Sequence, residues 1–179
     1  MNVSGVQFGK QDVPRLIRTA LSRYRLDPRH IEVEITESVI MSQPERAVKE
    51  LSAIRDQGVG IALDDFGTGY SSFSYLHRFP IDALKIDRSF IHEIGLKAQN
   101  EEIVAAIIAM AHILKLRVIA EGIEDVNQHA ILSERGCDVV QGFLFSQPLP
   151  AERIPHLLKN RILRAQGPAS GVTCAAGAV

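Results

Sequence analysis

The chain has 179 residues, of which 46% are hydrophobic and 23% charged, and its formal net charge is −1. This length and composition suit one globular domain with a hydrophobic core. A charge near zero gives no electrostatic reason to expect a nucleic-acid polymer or an anionic membrane as a partner. The sequence lacks a basic-then-apolar leader, an apolar run of transmembrane length and a cysteine framework. We therefore expect a soluble cytoplasmic protein without a membrane segment.

Short apolar strands alternate with amphipathic helices along the chain. Strands are predicted at residues 2–3, 31–36, 60–64, 83–86, 117–120 and 137–140. Helices are predicted from about Asp12, with Pro14 in the first turn, and from Ser42 to Gly58, where Ser42 and Glu45 form a capping box. Further helices are predicted over residues 101–114, 126–134 and 151–163. This repetition of strand and helix predicts parallel βαβ units in an α/β fold of the TIM-like barrel type.

A polar side chain lies near the carboxyl end of each predicted strand. These side chains belong to Asn2, Glu34, Glu37, Asp64, Asp65, Lys85, Asp87, Glu121 and Gln141. In a β/α barrel the carboxyl ends of the strands meet at one face, where active sites are assembled. A single aspartate at a strand end is commonly a helix cap, and an Asp-Asp pair alone is commonly a solvated turn. Capping does not account for a lysine and a glutamine in the same register, so we expect a functional site at this face.

The residue types in this set indicate a site for hard divalent cations. Carboxylate and amide oxygens without thiols or imidazoles suit Mg²⁺ or Mn²⁺ better than zinc or copper. The neighbouring carboxylates of Asp64 and Asp65 repel each other in a pocket unless cations neutralise them. Two ions at the spacing of about 3.5–4 Å that is typical of phosphoester-cleaving sites could be held by this pair together with Glu34, Glu121 and Asn2. Lys85 is placed to orient a water molecule or to stabilise charge on a phosphoryl oxygen.

Six segments of the chain resemble motifs of one known family. They are NVSGVQF (2–8), EITES (34–38), DDFGTGYSSFSYL (64–76), LKIDRSFI (84–91), AEGIE (120–124) and GCDVVQGFLFSQPLP (136–150). In this order, from residue 2 to about residue 158, they resemble the EAL family of cyclic di-GMP phosphodiesterases. The resemblance implies a modified TIM barrel with one antiparallel strand. It also implies cyclic di-GMP as the ligand and two Mg²⁺ or Mn²⁺ ions as cofactors.

The resemblance also implies roles for individual residues. The implied metal ligands are Asn2, Glu34, Asp64, Asp65 and Glu121, with Asp65 at the second ion. Lys85 matches the lysine that positions the hydrolytic water. Glu37 matches the glutamate that holds the loop at residues 64–72, which the family uses in metal binding and dimer coupling. Outer polar positions of the pocket match Glu124 and Gln141. The implied reaction is attack of a metal-activated hydroxide on one phosphodiester of cyclic di-GMP, which gives linear pGpG.

One family motif has no counterpart in this chain. The Glu-Ala-Leu motif, whose glutamate is a metal ligand in the family, is absent, because the chain begins within the strand that carries Asn2. The strand count agrees, since six strand ends are predicted here whereas a closed barrel has eight strands and typically about 250 residues. We therefore predict a partial EAL domain at residues 1–165 that lacks about two amino-terminal strands. A disordered tail is predicted at residues 166–179, where Gly and Ala are frequent and no apolar periodicity is present.

Three interpretations of such a partial domain remain open. The chain is a fragment, or a product of a mis-assigned start, of a longer enzyme. It is instead a catalytically inactive EAL module that binds cyclic di-GMP or a protein partner, or else a remnant that does not fold. Because a metal ligand is missing, we expect little or no phosphodiesterase activity from the chain alone. An EAL homodimer, and sensor or GGDEF domains in a full-length parent, agree with the family resemblance.

Overall fold

The computed structural model describes residues 1–68 and 73–159 of the chain. The chain divides into two compact units, an N-terminal unit of residues 1–85 and a C-terminal unit that starts at residue 86. The loop residues 69–72, the end of the last predicted helix and the predicted tail at 166–179 lie outside the described residues. Within the described residues, no helix is both long enough and apolar enough to cross a membrane.

The N-terminal unit contains the first three strands and the helices between them. Its elements are α1 (Gly5–Lys10), α2 (Val13–Tyr24), β1 (Glu32–Thr36), α3 (Glu37–Ser42), α4 (Pro44–Arg55), β2 (Gly60–Phe66), α5 (Phe73–Leu76) and β3 (Ala83–Ile86), whose last residue opens the next unit. β1 and β2 are parallel, with Glu34 opposite Ala62. The predicted first strand is reduced to an isolated parallel bridge between Asn2 and Glu34.

Two helix starts in this unit can be compared with the sequence prediction. α2 begins as predicted, because the Asp12 carboxylate caps the Arg15 amide at 3.0 Å. The predicted capping box at Ser42 is wrong. Ser42 is the last residue of α3, and its hydroxyl donates to the Val39 carbonyl at 2.7 Å. α4 starts instead at Pro44, which suits a first helical position because proline has no N–H to satisfy there.

The C-terminal unit continues the alternation. It contains α6 (Arg88–His92), α7 (Ala98–Ile113), β4 (Arg117–Glu121), α8 (Val126–Glu134), β5 (Val139–Gln141) and α9 (Ile154–Lys159). β4 and β5 are parallel, with Glu121 opposite Gln141. α8 begins with a capping box in which Asp125 caps the Gln128 amide at 2.9 Å. The polar residues that end the two strands are therefore register partners.

Each unit packs its strands and helices around fully buried aliphatic side chains. The largest of these in the N-terminal unit include Ile35, Ile40, Leu51, Ile54, Ile61, Leu63 and Leu84. In the C-terminal unit they include Ile91, Ile108, Ile123 and Leu132. Burying one such side chain contributes about 1.5–3 kcal/mol relative to leaving it exposed. β3 is buried along its whole length, as is typical of parallel strands that are covered by helices.

Candidate functional site

Three charged side chains meet at the carboxyl ends of the strands in the N-terminal unit. The Lys85 ammonium nitrogen lies 2.8 Å from Glu34 Oε2 and 3.2 Å from Asp64 Oδ1. Lys85 is only 5% exposed and Asp64 only 9%. Charges that are removed from water need partners, and their attraction is stronger than at the surface. We call Glu34, Asp64 and Lys85 the acid–lysine cluster.

Strand register explains why the two carboxylates of the cluster face the same way. Thr36 of β1 is opposite Asp64 of β2, and side chains two residues apart on a strand share one face. Glu34 therefore belongs to the same face as Asp64. Asn2 is the partner of Glu34 in a parallel bridge, so it belongs to the same face of the sheet as Glu34. The sequence expectation that these three residues lie at one face of the sheet thus agrees with the backbone register.

Asp65, next to the cluster, has an unusual backbone conformation. Its φ of 54° lies in the left-handed region, which residues other than glycine rarely adopt. Its amide donates to Asp64 Oδ1 at 3.1 Å, and its carbonyl accepts the Thr68 hydroxyl at 2.9 Å. Strained backbone of this kind is concentrated at functional sites, where the surrounding structure holds it in place. The turn of residues 65–68 is thus joined to the Asp64 carboxylate at its start and closed by the Thr68 hydroxyl.

Glu37 fastens the same turn from α3. It is 3% exposed, and its Oε2 accepts the Gly67 amide at 3.1 Å. Its other oxygen, Oε1, is buried and has no hydrogen-bond partner among the described residues. Leaving a buried polar atom unpaired is costly and is expected to have a cause. The contact with Gly67 supports the predicted role of Glu37 in holding the loop, although residues 69–72 of that loop lie outside the described part.

The predicted site residues of the C-terminal unit lie in a more open setting. Glu121 and Gln141 end β4 and β5 as register partners, so they share a face. Glu124 follows β4, and its amide donates to Gln128 Oε1 at 2.8 Å. Glu124 is one of the residues that line a cavity of about 320 Å³. The others are Arg88, Ser89, His92, Gly122, Gly142 and Phe143.

Among these lining residues only Glu124 was predicted from the sequence, and two of the others, Arg88 and Phe143, carry groups that could contact a ligand. Arg88 contributes a cation, and Phe143 presents a ring that is 61% exposed. The sequence contains one signal for Phe143, because this residue lies two positions beyond Gln141, the glutamine that ends β5. A charged residue such as Arg88, which opens a helix, gives no comparable signal. This cavity therefore combines a cation, an aromatic face and a carboxylate, which are groups suited to a nucleotide.

Two glycines allow the turns around this cavity to approach each other. A Cβ on Gly142 would lie 2.1 Å from the Ile123 carbonyl oxygen. Gly122 has φ of +76°, and a Cβ there would lie 2.7 Å from the Arg88 Cβ. No side chain fits at such distances without a shift of backbone, so both positions require glycine.

The donor atoms of the N-terminal unit fit a hard divalent cation. The two carboxylates and the one ammonium of the acid–lysine cluster give a net negative charge. Asp65 follows Asp64 in the sequence and is a further carboxylate residue. Among the described residues, no group of three or more His, Cys, Asp or Glu is arranged to hold a metal. Mg²⁺ commonly uses only one or two carboxylates together with water and substrate phosphates, so this number is compatible with it. Zinc is not favoured at the acid–lysine cluster, because its donors are carboxylate oxygens, whereas zinc sites commonly use thiolates and imidazoles.

The fold and the site together define an α/β protein with a carboxylate–lysine site at the ends of parallel strands. The model of the EAL domain family matches residues 1–148. The chain belongs to the EAL domain family, and the EAL-type fold predicted from the sequence is confirmed.

Curated relatives are much longer than this chain. Signaling protein YkoW of Bacillus subtilis (strain 168) is 48% identical over 158 residues, which are 88% of this chain and 20% of the relative. The bifunctional diguanylate cyclase/cyclic di-GMP phosphodiesterase MucR of Pseudomonas aeruginosa is 42% identical over 154 residues, which are 86% of this chain and 22% of the relative. The chain thus spans about a fifth of the length of these relatives.

Solved structures show the same similarity. The PaMucR phosphodiesterase in complex with c-di-GMP superposes with a TM-score of 0.83 at 42% identity, over 86% of this chain and 62% of that one. Two Klebsiella pneumoniae BlrP1 complexes, with calcium and cy-diGMP and with manganese and cy-diGMP, each superpose with a TM-score of 0.76 at 32% identity. They cover 82% and 83% of this chain and 38% of BlrP1.

Proposed function

We propose that this chain is part of a metal-dependent phosphodiesterase domain that hydrolyses cyclic di-GMP to linear pGpG in bacterial second-messenger signalling. The observation that carries the proposal is the acid–lysine cluster at the strand ends. The similarity to MucR, which is named a cyclic di-GMP phosphodiesterase and has a structure in complex with c-di-GMP, supports cyclic di-GMP as the substrate. Hydrolysis adds one water across one phosphodiester, so a single P–O bond breaks and the ring opens.

The residues that would hold two Mg²⁺ or Mn²⁺ ions are Asn2, Glu34, Asp64, Asp65 and Glu121. The oxygen-only donor set and the calcium and manganese complexes of BlrP1 support divalent cations as the cofactors. Such ions supply Lewis-acid polarisation of a phosphoryl oxygen and lower the pKa of water.

The chain's own groups have separate roles around the reacting phosphate. Lys85 holds Glu34 and Asp64 in place, and its ammonium would orient the attacking water and balance charge on a phosphoryl oxygen. Glu37 restrains the turn that follows Asp64 by accepting the Gly67 amide. Further polar contacts to the nucleotide would come from the outer positions Glu124 and Gln141.

The proposal concerns a domain within a longer protein. Residues 1–165 would form the EAL part in the cytoplasm, and the tail at 166–179 would lie outside it. The Glu-Ala-Leu ligand of the family is not among these 179 residues, so the chain alone is expected to have little or no turnover. A homodimer of EAL domains, and GGDEF or sensor domains in a full-length parent, belong to the same proposal.

Calorimetry and product analysis test the proposal in two forms of the protein. The purified chain should bind cyclic di-GMP in the presence of Mn²⁺, and Glu34→Gln should weaken that binding at least about tenfold because it removes a ligand charge. The longer protein encoded by in-frame upstream DNA should form pGpG, and Lys85→Met should slow it about 100-fold or more. Lys97→Met, at an exposed pair with Glu93, is the control for both. Binding that is indifferent to chelator and to Glu34→Gln would contradict the proposal.

A second candidate function is supported by one observation. The Glu-Ala-Leu motif, whose glutamate is a metal ligand in the family, is not among these 179 residues, as a binding module without catalysis would allow. Such a module would bind cyclic di-GMP or a protein partner and leave the nucleotide intact. Nucleotide binding without pGpG formation in the longer protein would favour this function over hydrolysis.

A further inference from the structure

We propose that Arg46 is a positioning residue for Asn2, because its guanidinium fastens the helix that follows Asn2 and thereby keeps Asn2 beside Glu34. This inference rests on the proposed function, in which Asn2 is a metal ligand. Arg46 lies on α4 and does not belong to the residues selected for the site. It acts at a distance, through the backbone of α1.

The backbone around Asn2 is held by little sheet structure of its own. Asn2 forms an isolated bridge, and no regular strand surrounds it. The two hydrogen bonds of this bridge join the Val3 amide to the Glu34 carbonyl at 2.9 Å and the Glu34 amide to the Met1 carbonyl at 2.8 Å. Strand pairing this short is weak unless the adjoining chain is fixed as well. On the other side of Asn2 the Met1 amino group donates to the Glu32 carbonyl at 2.5 Å. The segment after Val3 is therefore the second support on which the position of Asn2 depends.

α1 begins two residues after Val3, and it is too short to be stable alone. It has six residues, and Ser4 caps it by accepting the Gln7 amide in a capping box. Isolated helices shorter than about 12–15 residues are marginal in water. The last carbonyls of a helix also lack partners within the helix and must find them elsewhere. α1 thus needs an external contact at its carboxyl end.

Arg46 provides that contact. Its two terminal nitrogens donate to the Phe8 and Gly9 carbonyls, each at 2.9 Å. Its Nε donates to Glu50 Oε1 at 2.5 Å, which fixes the orientation of the guanidinium. The planar fork of arginine can make three such bonds at once, and lysine cannot reproduce them. One side chain therefore satisfies two end carbonyls of α1.

The support behind Arg46 is rigid. α4 has 12 residues and buries Ala47, Leu51 and Ile54 completely. The connection runs from this buried helix through Arg46 to Phe8, which is itself buried, and five residues separate Phe8 from Asn2. A metal ligand must be held within about 0.5 Å of its productive position. Loosening α1 would therefore weaken metal binding without removing any ligand.

Hydrogen exchange and Mn²⁺ binding test this inference on the whole chain. In Arg46→Gln, the amide of Val3 should exchange about tenfold faster, and the Kd for Mn²⁺ should rise about tenfold, at the low end of effects for residues that support metal ligands. Arg46→Lys should give a smaller change in both. The matched control is Arg78→Gln, which breaks an exposed pair with Glu45 on the same helix and should change neither by more than about twofold.

A double-mutant cycle shows whether Arg46 acts through Asn2. In an Asn2→Ala background, Arg46→Gln should change the Kd for Mn²⁺ by less than about twofold, because the ligand that it positions is gone. An equal loss in both backgrounds would overturn the inference, as would unchanged Mn²⁺ affinity in Arg46→Gln or unchanged exchange at Val3. Failure of the wild-type chain and Glu34→Gln to differ in Mn²⁺ binding would instead contradict the proposed metal site.

Discussion

The two units fix the amino-terminal ends of their strands in the same way and differ at the carboxyl ends. In the N-terminal unit, Asp82 precedes β3, and its Oδ2 accepts the Ile61 amide of β2 at 3.0 Å. Its Oδ1 pairs with Arg55, the last residue of α4, at 3.3 Å. A single aspartate therefore links the end of a helix to the start of the strand that follows it.

The C-terminal unit repeats this arrangement with different residues. Asp138 precedes β5, and its Oδ2 accepts the Val118 amide of β4 at 2.8 Å. The same oxygen lies 2.9 Å from Nε2 of His112, near the end of α7. The sequences around the two aspartates share little else, so the geometry follows from the βαβ unit itself.

The carboxyl ends of the strands show no such correspondence. The N-terminal unit buries an acid–lysine cluster there, whereas Glu121 and Gln141 lie beside an open cavity in the C-terminal unit. In β/α folds the carboxyl ends carry the chemistry and the amino ends mainly carry stability. The comparison therefore separates residues that support the fold from residues that are available for function.

The largest effect on stability is expected from Lys85→Met. The change leaves the Glu34 and Asp64 carboxylates without their shared ammonium, and breaking such a buried pair costs about 3–5 kcal/mol in the free energy of unfolding. Urea denaturation followed by circular dichroism measures the loss. The control Lys97→Met removes an exposed i,i+4 pair with Glu93 and should cost less than about 1 kcal/mol. Equal costs for the two variants would show that the cluster is as solvated as the surface.

A smaller and matched effect is expected at the two strand-linking aspartates. Asp82→Ala and Asp138→Ala each leave a strand amide without its acceptor, which costs about 1–3 kcal/mol. Denaturation of both variants under one set of conditions compares them directly. Similar losses would confirm that the two units use one device, and a loss confined to one variant would break the comparison.

The C-terminal unit should also lose stability in acid through Asp138. Burial acts to raise the pKa of Asp138, but hydrogen bonds from the Val118 amide and from His112, with the charges of His112 and Arg117, outweigh it and lower the pKa. A carboxyl group with a lowered pKa in the folded state stabilises the fold above its unfolded pKa, near 4, and loses that contribution as the pH falls through the folded value. Thermal unfolding from pH 7 to pH 2 should therefore show a shallower decline in Asp138→Asn. Parallel curves for the variant and the wild type would contradict this assignment.

The smallest effects are expected from substitution of the two side chains that pair with these aspartates, Arg55 with Asp82 and His112 with Asp138. Arg55 and His112 are largely exposed, and exposed ion pairs contribute about 0–1 kcal/mol. Arg55→Gln and His112→Gln should each shift the melting temperature by only a few degrees. A loss as large as that of the aspartate variants would show that the ion pairs, and not the strand amides, hold these ends together.

Most strands could be predicted from the sequence, whereas the short helices could not. Of the predicted strands, the one at residues 2–3 is only an isolated bridge, and the one at 137–140 is observed as Val139–Gln141. β3 has the predicted bounds, because Ala83–Ile86 is a continuous buried run between polar residues. α1 and α3 have six residues each, fewer than two turns, so their periodicity is too short to recognise. Ser42 was misassigned for the same reason, since it closes one short helix and does not open the next.

The residue types of the candidate site could be predicted, but their pairing could not. Strand ends identify Glu34, Asp64 and Lys85, because parallel strands end at one edge. The ion pairs among them join residues that are 51 and 21 positions apart, and only the strand register determines such distances. Nothing in an Asp-Asp sequence indicates the left-handed backbone of Asp65. That conformation is imposed by the surrounding turn.

Gly142 and Gly9 differ in the substitutions that their surroundings tolerate. Every substitution at Gly142 forces a side chain onto the Ile123 carbonyl, so a saturation library should recover only glycine there. At Gly9 an added Cβ meets nothing within 4 Å. Alanine there should be tolerated and even stabilise α1 by about 0.5–1 kcal/mol. A homologue that lacks glycine at the position of Gly142 must therefore hold the loop after β5 in a different conformation, farther from the segment at Ile123.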